Sequence, residues 1–225
     1  PFSGSNFSLS GPSYRMWSPA HTVSMIDTLV QNYGIRNIKI ADEMFVLNEA
    51  HVITICDLLI DRGYDLNIWA YGRIDTIKDK FLEKLHRAGF KWLALGIESG
   101  SKFVREGSDK KLKNNDIAGV VKKIRDAGIY VVCNYIFGLP DDTHETMRET
   151  LDMALDINGE FSNFFCAMAY PGSPLHNIAR AKQLPLPEDS VGPGWLGYSQ
   201  HSYECLPLPT DTLSAAEVLS FRDKA

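Results

Sequence analysis

The stretch WLALGIESGS, Trp92 to Ser101, begins as an unbroken apolar run and ends on a carboxylate, Glu98. A run without alternation is what a strand shows when both its faces are buried, as in a parallel sheet covered by helices. A charge at the tip of such a strand is costly in low-dielectric surroundings unless a partner meets it. The stretch therefore raises two expectations at once: a helix-covered parallel sheet, and a polar site where its strands end.

Outward from it lie four more runs of the same kind: NIKIAD from Asn37, LNIWAY from Leu66, YVVCNYIF from Tyr130 and FSNFFCAMAY from Phe161. Helical stripes alternate with them. The first helix starts at Ser18-Pro19 and carries Val23, Ile26, Val30 and Tyr33 on one face; a capping serine before a proline is a helix start signal. The second follows Asn48 with Val52, Ile55 and Leu59, and the third follows Asp75 with Ile77, Phe81, Leu85 and Ala88. The fourth follows Asn115 with Ile117, Val120, Ile124 and Ala127. The fifth opens at Asp142, where Glu145 is placed to complete a capping box. Each helix is expected to close on a glycine, in turn Gly34, Gly63, Gly89, Gly128 and Gly159. Strands alternating with helices at a period of about thirty residues are βαβ units joined by right-handed crossovers.

Such a series builds either an open doubly wound sheet or a barrel. The polar residues gather where strands end, at Asp42-Glu43, Arg73, Glu98-Ser99, the turn GLPDD and the segment YPGSP. That is the face on which a parallel barrel carries its active site. No Gly-x-Gly-x-x-Gly follows the first strand, so the expected fold is a complete or partial parallel (β/α) barrel of the TIM type. The first helix has no strand before it, because PFSGSNFSLSGPSYRMW lacks alternation, and the native protein is expected to extend upstream of Pro1. Residues 1–182 read as the barrel; residues 183–225 read as a loop followed by the start of a helical extension, LSAAEVLSFRDKA.

Composition narrows the partners. A net charge of −5 without an aromatic-interleaved basic stripe argues against a nucleic-acid surface, and SDKKLKNN reads as a solvated loop. No stretch approaches the length of a membrane span and the N-terminus has no signal-peptide pattern, so a cytoplasmic protein is expected. Cys56, Cys133, Cys166 and Cys205 are far apart, which fits buried, reduced thiols better than a disulfide framework or a metal site. The histidines have no paired spacing for zinc, and His201 reads as a surface residue. Phosphate-loop, serine-elbow and His-Glu-x-x-His motifs are absent.

At a barrel mouth Glu98 joins Asp42, Glu43 and Arg73, a set that suits a zwitterionic, hydroxyl-bearing ligand: carboxylates accept from an amine or a diol, and a guanidinium clamps a carboxylate. An internal salt-bridge ring accounts for the same residues, and spacing does not separate the two. GLPDD and YPGSP read first as turns.

The ordered set IKIADEMF, NIWAYGRID, WLALGIESGS, NYIFGLPDDTHETM and AMAYPGSPL resembles the successive strand-end motifs of radical S-adenosylmethionine enzymes, and more narrowly those with a cobalamin-binding domain upstream of the barrel. The resemblance implies a partial six-strand barrel and a 4Fe-4S cluster held by Cys-x-x-x-Cys-x-x-Cys after the first strand. It also implies S-adenosylmethionine on the unique iron, cleaved to a 5′-deoxyadenosyl radical, with cobalamin as a further cofactor. By position Glu43 resembles the residue near the methionine amino group, Glu98 and Ser99 those near the methionine or ribose, and Arg73 a partner for the carboxylate. A small-molecule substrate and an electron donor such as flavodoxin or ferredoxin follow from the same resemblance.

The departure is the cysteine triad, which these 225 residues lack. A fragment that begins downstream of the cluster loop and a cluster-less relative acting as a nucleoside- or partner-binding protein both account for this. A lyase or aldolase barrel is disfavoured because no lysine sits at a strand end. The segment GWLGYSQHSYE, from Gly194, is the candidate to cover the barrel mouth or contact substrate.

Overall fold

The computed structural model describes residues 16–42, 45–107 and 116–225. Its five strands are β1 (Asn37–Lys39), β2 (Asn67–Arg73), β3 (Phe90–Glu98), β4 (Tyr130–Phe137) and β5 (Phe161–Cys166). They pair in parallel in the order β1-β2-β3-β4-β5. Each strand is thus laid beside its predecessor with no reversal, so the sheet has no topological switch point and curls as a half-barrel, not as a doubly wound sheet.

The helices are α1 (Pro19–Tyr33), α2 (Glu49–Arg62), α3 (Asp79–Arg87), α4 (Lys102–Gly107), α5 (Ile117–Asp126), α6 (His144–Ile157), α7 (Pro174–Ala181) and α8 (Ala215–Lys224). Ser18 and Asn48 cap α1 and α2 through bonds to His21 and His51 N–H, and Gly34 and Gly63 close them in the left-handed conformation.

Several boundaries differ from expectation for local reasons. Asp75 does not cap a helix: it pairs with Arg73 across a 3₁₀ turn, Ile74–Thr76, and α3 starts only after Lys78. α5 is capped by Asp116, one residue after Asn115. α6 is capped by Thr143, whose capping box is completed by Thr146 and not by Asp142 with Glu145. Asn158, with φ +46°, takes the left-handed position expected of Gly159, while Ala88 and Ala127 are the last caps before Gly89 and Gly128. Tyr33 is exposed, since α1 turns only Val23, Ile26 and Val30 inward.

The sheet has two unlike faces. Alternate strand residues, among them Ile68, Ala70, Leu93, Leu95, Val131 and Cys133, pack against the helices in one continuous core. The opposite, concave face carries Asn67, Trp69, Tyr71 and Arg73 on β2, all left partly or wholly exposed. Near the strand starts this face borders an open cavity of about 500 Å³ lined by Trp69, Trp92, Val132, Phe161 and the amides of Asn37 and Asn163. Arg73 and Glu98 lie at the other end, roughly 20 Å along the strands at the usual rise per residue. A second core ties the C-terminal segment to the sheet, with Val218 of α8 among Phe137, Met147 and Cys166. Among the described residues no helix is long and apolar enough to cross a membrane.

Candidate active site

The strand-end site is built around the last residue of β3. Register slips between Gly96, which pairs with Asn134, and Glu98, which pairs with Tyr135. Glu98 has φ +71°, a left-handed conformation that a residue with a Cβ rarely adopts. Such strain persists where the surroundings over-determine it, and it concentrates at functional positions. The side chain folds back over Gly96: a Cβ there would lie 2.6 Å from Glu98 Oε1. Glycine in a strand interior marks such a close approach, so Gly96 is the sequence signal for this geometry.

Arg73 ends β2 one strand away. Its Nε and Nη2 donate to the two carboxylate oxygens of Asp75 at 2.9 and 2.8 Å. The hydrogen bond with Asp75 holds the guanidinium above its ordinary pKa, and the charge of Glu98 adds to this. The bidentate edge expected to clamp a ligand carboxylate is therefore engaged by Asp75, while Glu98 is near enough to feel the charge. Asp42 follows β1, half-buried, with its carbonyl accepting Phe45 N–H at 3.2 Å. Glu43 lies outside the described residues.

Ser99 is fully buried, and its hydroxyl does not point to an open site. It bonds Thr150 Oγ1 on α6 at 3.2 Å and accepts Ser101 N–H at 3.1 Å. Gly100 N–H donates to Thr150 Oγ1 at 2.9 Å, and Arg105 Nη1 donates to the carbonyls of Ser99 and Gly100 at 2.5 and 2.8 Å. Neither Thr150 nor Arg105 was legible beforehand, since each is an ordinary helix-surface residue type until the fold brings it to the turn.

The GLPDD turn ends β4. Asp142 is buried and accepts Leu139 N–H at 2.9 Å and Thr146 Oγ1–H at 2.7 Å. Burial raises its pKa, against the lowering effect of those two bonds. Beyond β5 the YPGSP turn leads into α7, capped by Ser173. The segment after it returns to the end of β5: Gln200 accepts Cys166 N–H and donates to Cys166 C=O at 2.9 and 2.8 Å, and Tyr198 stacks on Tyr170. His201 is exposed.

The four cysteines are buried and unpaired, and burial pushes the thiols of Cys56 and Cys166 up to about 12. Among the described residues no group of three His, Cys, Asp or Glu side chains is placed to hold a metal. These residues therefore do not fit an iron–sulfur cluster, whereas the ends of β2 and β3 bring a guanidinium and a carboxylate, Arg73 and Glu98, within electrostatic reach of each other.

The family model of the radical SAM superfamily matches residues 10–154. The chain belongs to the radical SAM superfamily. It is 28% identical, over 77% of its length, to an uncharacterized methyltransferase of Pyrococcus horikoshii, of which it covers 38%. It is 30% identical, over 74% of its length, to the anaerobic magnesium-protoporphyrin IX monomethyl ester cyclase of Cereibacter sphaeroides, of which it covers 28%. The chain thus spans about a third of the length of these curated relatives. In fold it is similar to a radical S-adenosylmethionine methyltransferase of Kitasatospora setae solved with cobalamin and a 4Fe-4S cluster, with a TM-score of 0.67 at 22% identity over 76% of this chain and 33% of that one. A cobalamin-dependent S-adenosylmethionine radical enzyme gives a TM-score of 0.56 at 21% identity, covering 63% of this chain and 23% of that one.

Proposed function

We propose that this half-barrel binds S-adenosylmethionine at the ends of β2 and β3, as part of a radical SAM enzyme of the cobalamin-dependent kind that transfers methyl groups or carries out related radical chemistry on a small molecule. The observation that carries this is the Glu98 carboxylate, held over Gly96 by a strained backbone at the tip of a buried strand and facing the field of Arg73. S-adenosylmethionine supplies a reductively cleavable sulfonium when bound. The chain's part is to bind and orient it.

In this reading Glu98 accepts from the ammonium or the ribose hydroxyls of the cofactor. Arg73, steadied by Asp75, offers positive potential to its carboxylate, and Glu43 is assigned to its amino group. Ser99 contributes by its place in the turn, its hydroxyl being turned inward to Thr150. In this reading the barrel spans residues 1–182 and is followed over 183–225 by a loop and the start of a helical extension, and the segment from Gly194, whose Tyr198 and Gln200 return to the end of β5, covers the mouth. An iron–sulfur cluster needs ligands beyond the described residues. A low-potential donor such as flavodoxin or ferredoxin and a cytoplasmic location go with that chemistry and with four unpaired thiols.

The test is titration of the full-length protein, reconstituted anaerobically with iron and sulfide, with S-adenosylmethionine. Glu98→Gln is expected to weaken binding by about tenfold, the loss of one charge-assisted bond. Unchanged affinity would overturn the assignment. An extended protein that acquires no cluster EPR signal would instead favour the cluster-less binding protein, which the family membership disfavours.

A further inference from the structure

We propose that Thr150, on helix α6, is a positioning residue for Glu98, and that it joins the two strand-end turns of β3 and β4 into one hydrogen-bonded unit. The inference rests on the assignment of Glu98 to the cofactor and deepens it.

Requiring every buried hydroxyl to donate its hydrogen assigns a direction to each bond. A threonine hydroxyl has one hydrogen, and that of Thr150 goes to the carbonyl of Thr146 one turn earlier, at 3.0 Å. Its oxygen is then the acceptor for Gly100 N–H at 2.9 Å and for the Ser99 hydroxyl at 3.2 Å. The Ser99 oxygen in turn accepts Ser101 N–H. Ser99 and Thr150 are both fully buried, so water does not substitute for any partner that is lost.

The turn is also seated sterically. A Cβ on Gly100 would meet Glu149 C=O at 2.5 Å and Thr150 Cα at 2.7 Å, so only glycine lets the chain approach α6 this closely. Arg105 closes the other side by binding the carbonyls of Ser99 and Gly100. The backbone that follows Glu98 is therefore held from two directions, and this is what keeps Glu98 at φ +71° with its carboxylate over Gly96.

The line continues to the second turn. Thr146 donates its own hydroxyl to Asp142 Oδ1 at 2.7 Å, and Asp142 Oδ2 accepts Leu139 N–H within the GLPDD segment. From Gly100 through Thr150, Thr146 and Asp142 to Leu139, the first two turns of α6 bind GIESGS to GLPDD. Sequence order separates the two turns by about forty residues, the length of one βα unit and its loop.

Binding of S-adenosylmethionine to the full-length protein, measured by calorimetry, tests this with Thr150→Val, Thr150→Ser, Glu98→Gln and the double variant, each with its thermal midpoint. Thr150→Val is expected to weaken binding by about tenfold, as small misplacements of a binding group do. Thr150→Ser is expected to restore affinity, and the double variant to bind no more weakly than Glu98→Gln alone, because Thr150 acts through that carboxylate. Normal binding by Thr150→Val beside weakened binding by Glu98→Gln would overturn the positioning role and leave the cofactor site standing. Additive losses in the double variant would overturn it too. Normal binding by Glu98→Gln would instead remove the site itself. Should Thr150→Val not fold, Ser99→Ala breaks the same link from the turn and is read by the same comparisons.

Discussion

Gly96 and Glu98 share one volume: the space that a side chain at 96 would need is filled by the carboxylate of 98, whose Oε1 lies 2.6 Å from the Cβ position. The obstacle is the far end of a flexible side chain, so Gly96→Ala is expected to displace Glu98 without breaking the strand. Stability should fall by less than about 1 kcal/mol while affinity for S-adenosylmethionine falls by about tenfold. Chemical denaturation and ligand titration on the same variant give the two numbers.

Gly100 differs, because its obstacle is helix backbone. Gly100→Ala must push the turn away from Glu149 and Thr150, an overpacking that costs about 2 kcal/mol and lowers the thermal midpoint by roughly 4–8 °C for a domain of this size. A midpoint within 1 °C of the parent, again as a rough bound, would mean that α6 gives way easily.

Tyr135 is fully buried, and among the described residues its hydroxyl has no partner at hydrogen-bond geometry; the Cys133 thiol two residues before it, a weak hydrogen-bonding group, is close enough to influence it. Tyr135→Phe removes an unsatisfied group, so it is expected to be neutral or to stabilise the fold by up to about 1 kcal/mol. A loss of stability in urea unfolding would reveal a partner for the hydroxyl.

Glu188 gathers the C-terminal segment. Partial burial acts to raise its pKa, but hydrogen bonds from Tyr198 and His176, with the charge of Arg180, outweigh it and hold the carboxyl down to about 2 from an ordinary 4.5. A carboxyl depressed in the folded state stabilises it above the unfolded pKa and loses that contribution as pH falls through the folded one. The hydrogen-exchange protection factors of residues 183–205, taken relative to the intrinsic rate at each pH, should therefore fall between pH 4.5 and 2. Glu188→Gln should exchange faster at neutral pH and lack that added acid step.

The four cysteines should resist alkylation in the native protein, since burial raises their thiols and the thiolate is the reactive form. Iodoacetamide at pH 8 should label all four only after denaturation. Rapid native labelling of any one would show a local opening.

Strand centres and buried helix faces were legible because they depend on short-range pattern: five apolar runs became five strands, and Val23, Val52, Phe81 and Ile124 face the core as their spacing implies. Helix starts were less so. Asp75 looks like a cap until Arg73, two residues before it, takes both of its oxygens, and no propensity encodes that choice. At the site, Glu98 stood out as a charge on an apolar run. Thr150 did not, because its role exists only after α6 has folded back across β3, some fifty residues away in sequence.

The in-order sheet has a kinetic consequence. Paired strand residues are separated by 22 (Ile68 and Phe90) to 38 (Trp92 and Tyr130) positions, with 30 for Asn37 and Asn67, and because closure entropy grows only with the logarithm of loop length each loop closes at a similar, modest cost. No strand waits for a distant partner, and the chain can assemble vectorially as it leaves the ribosome, one βα unit docking on the last. The Thr150 link is the exception: the β3 turn carrying Glu98 stays unbraced until α6 has been synthesised, so the carboxylate reaches its strained position only late in assembly.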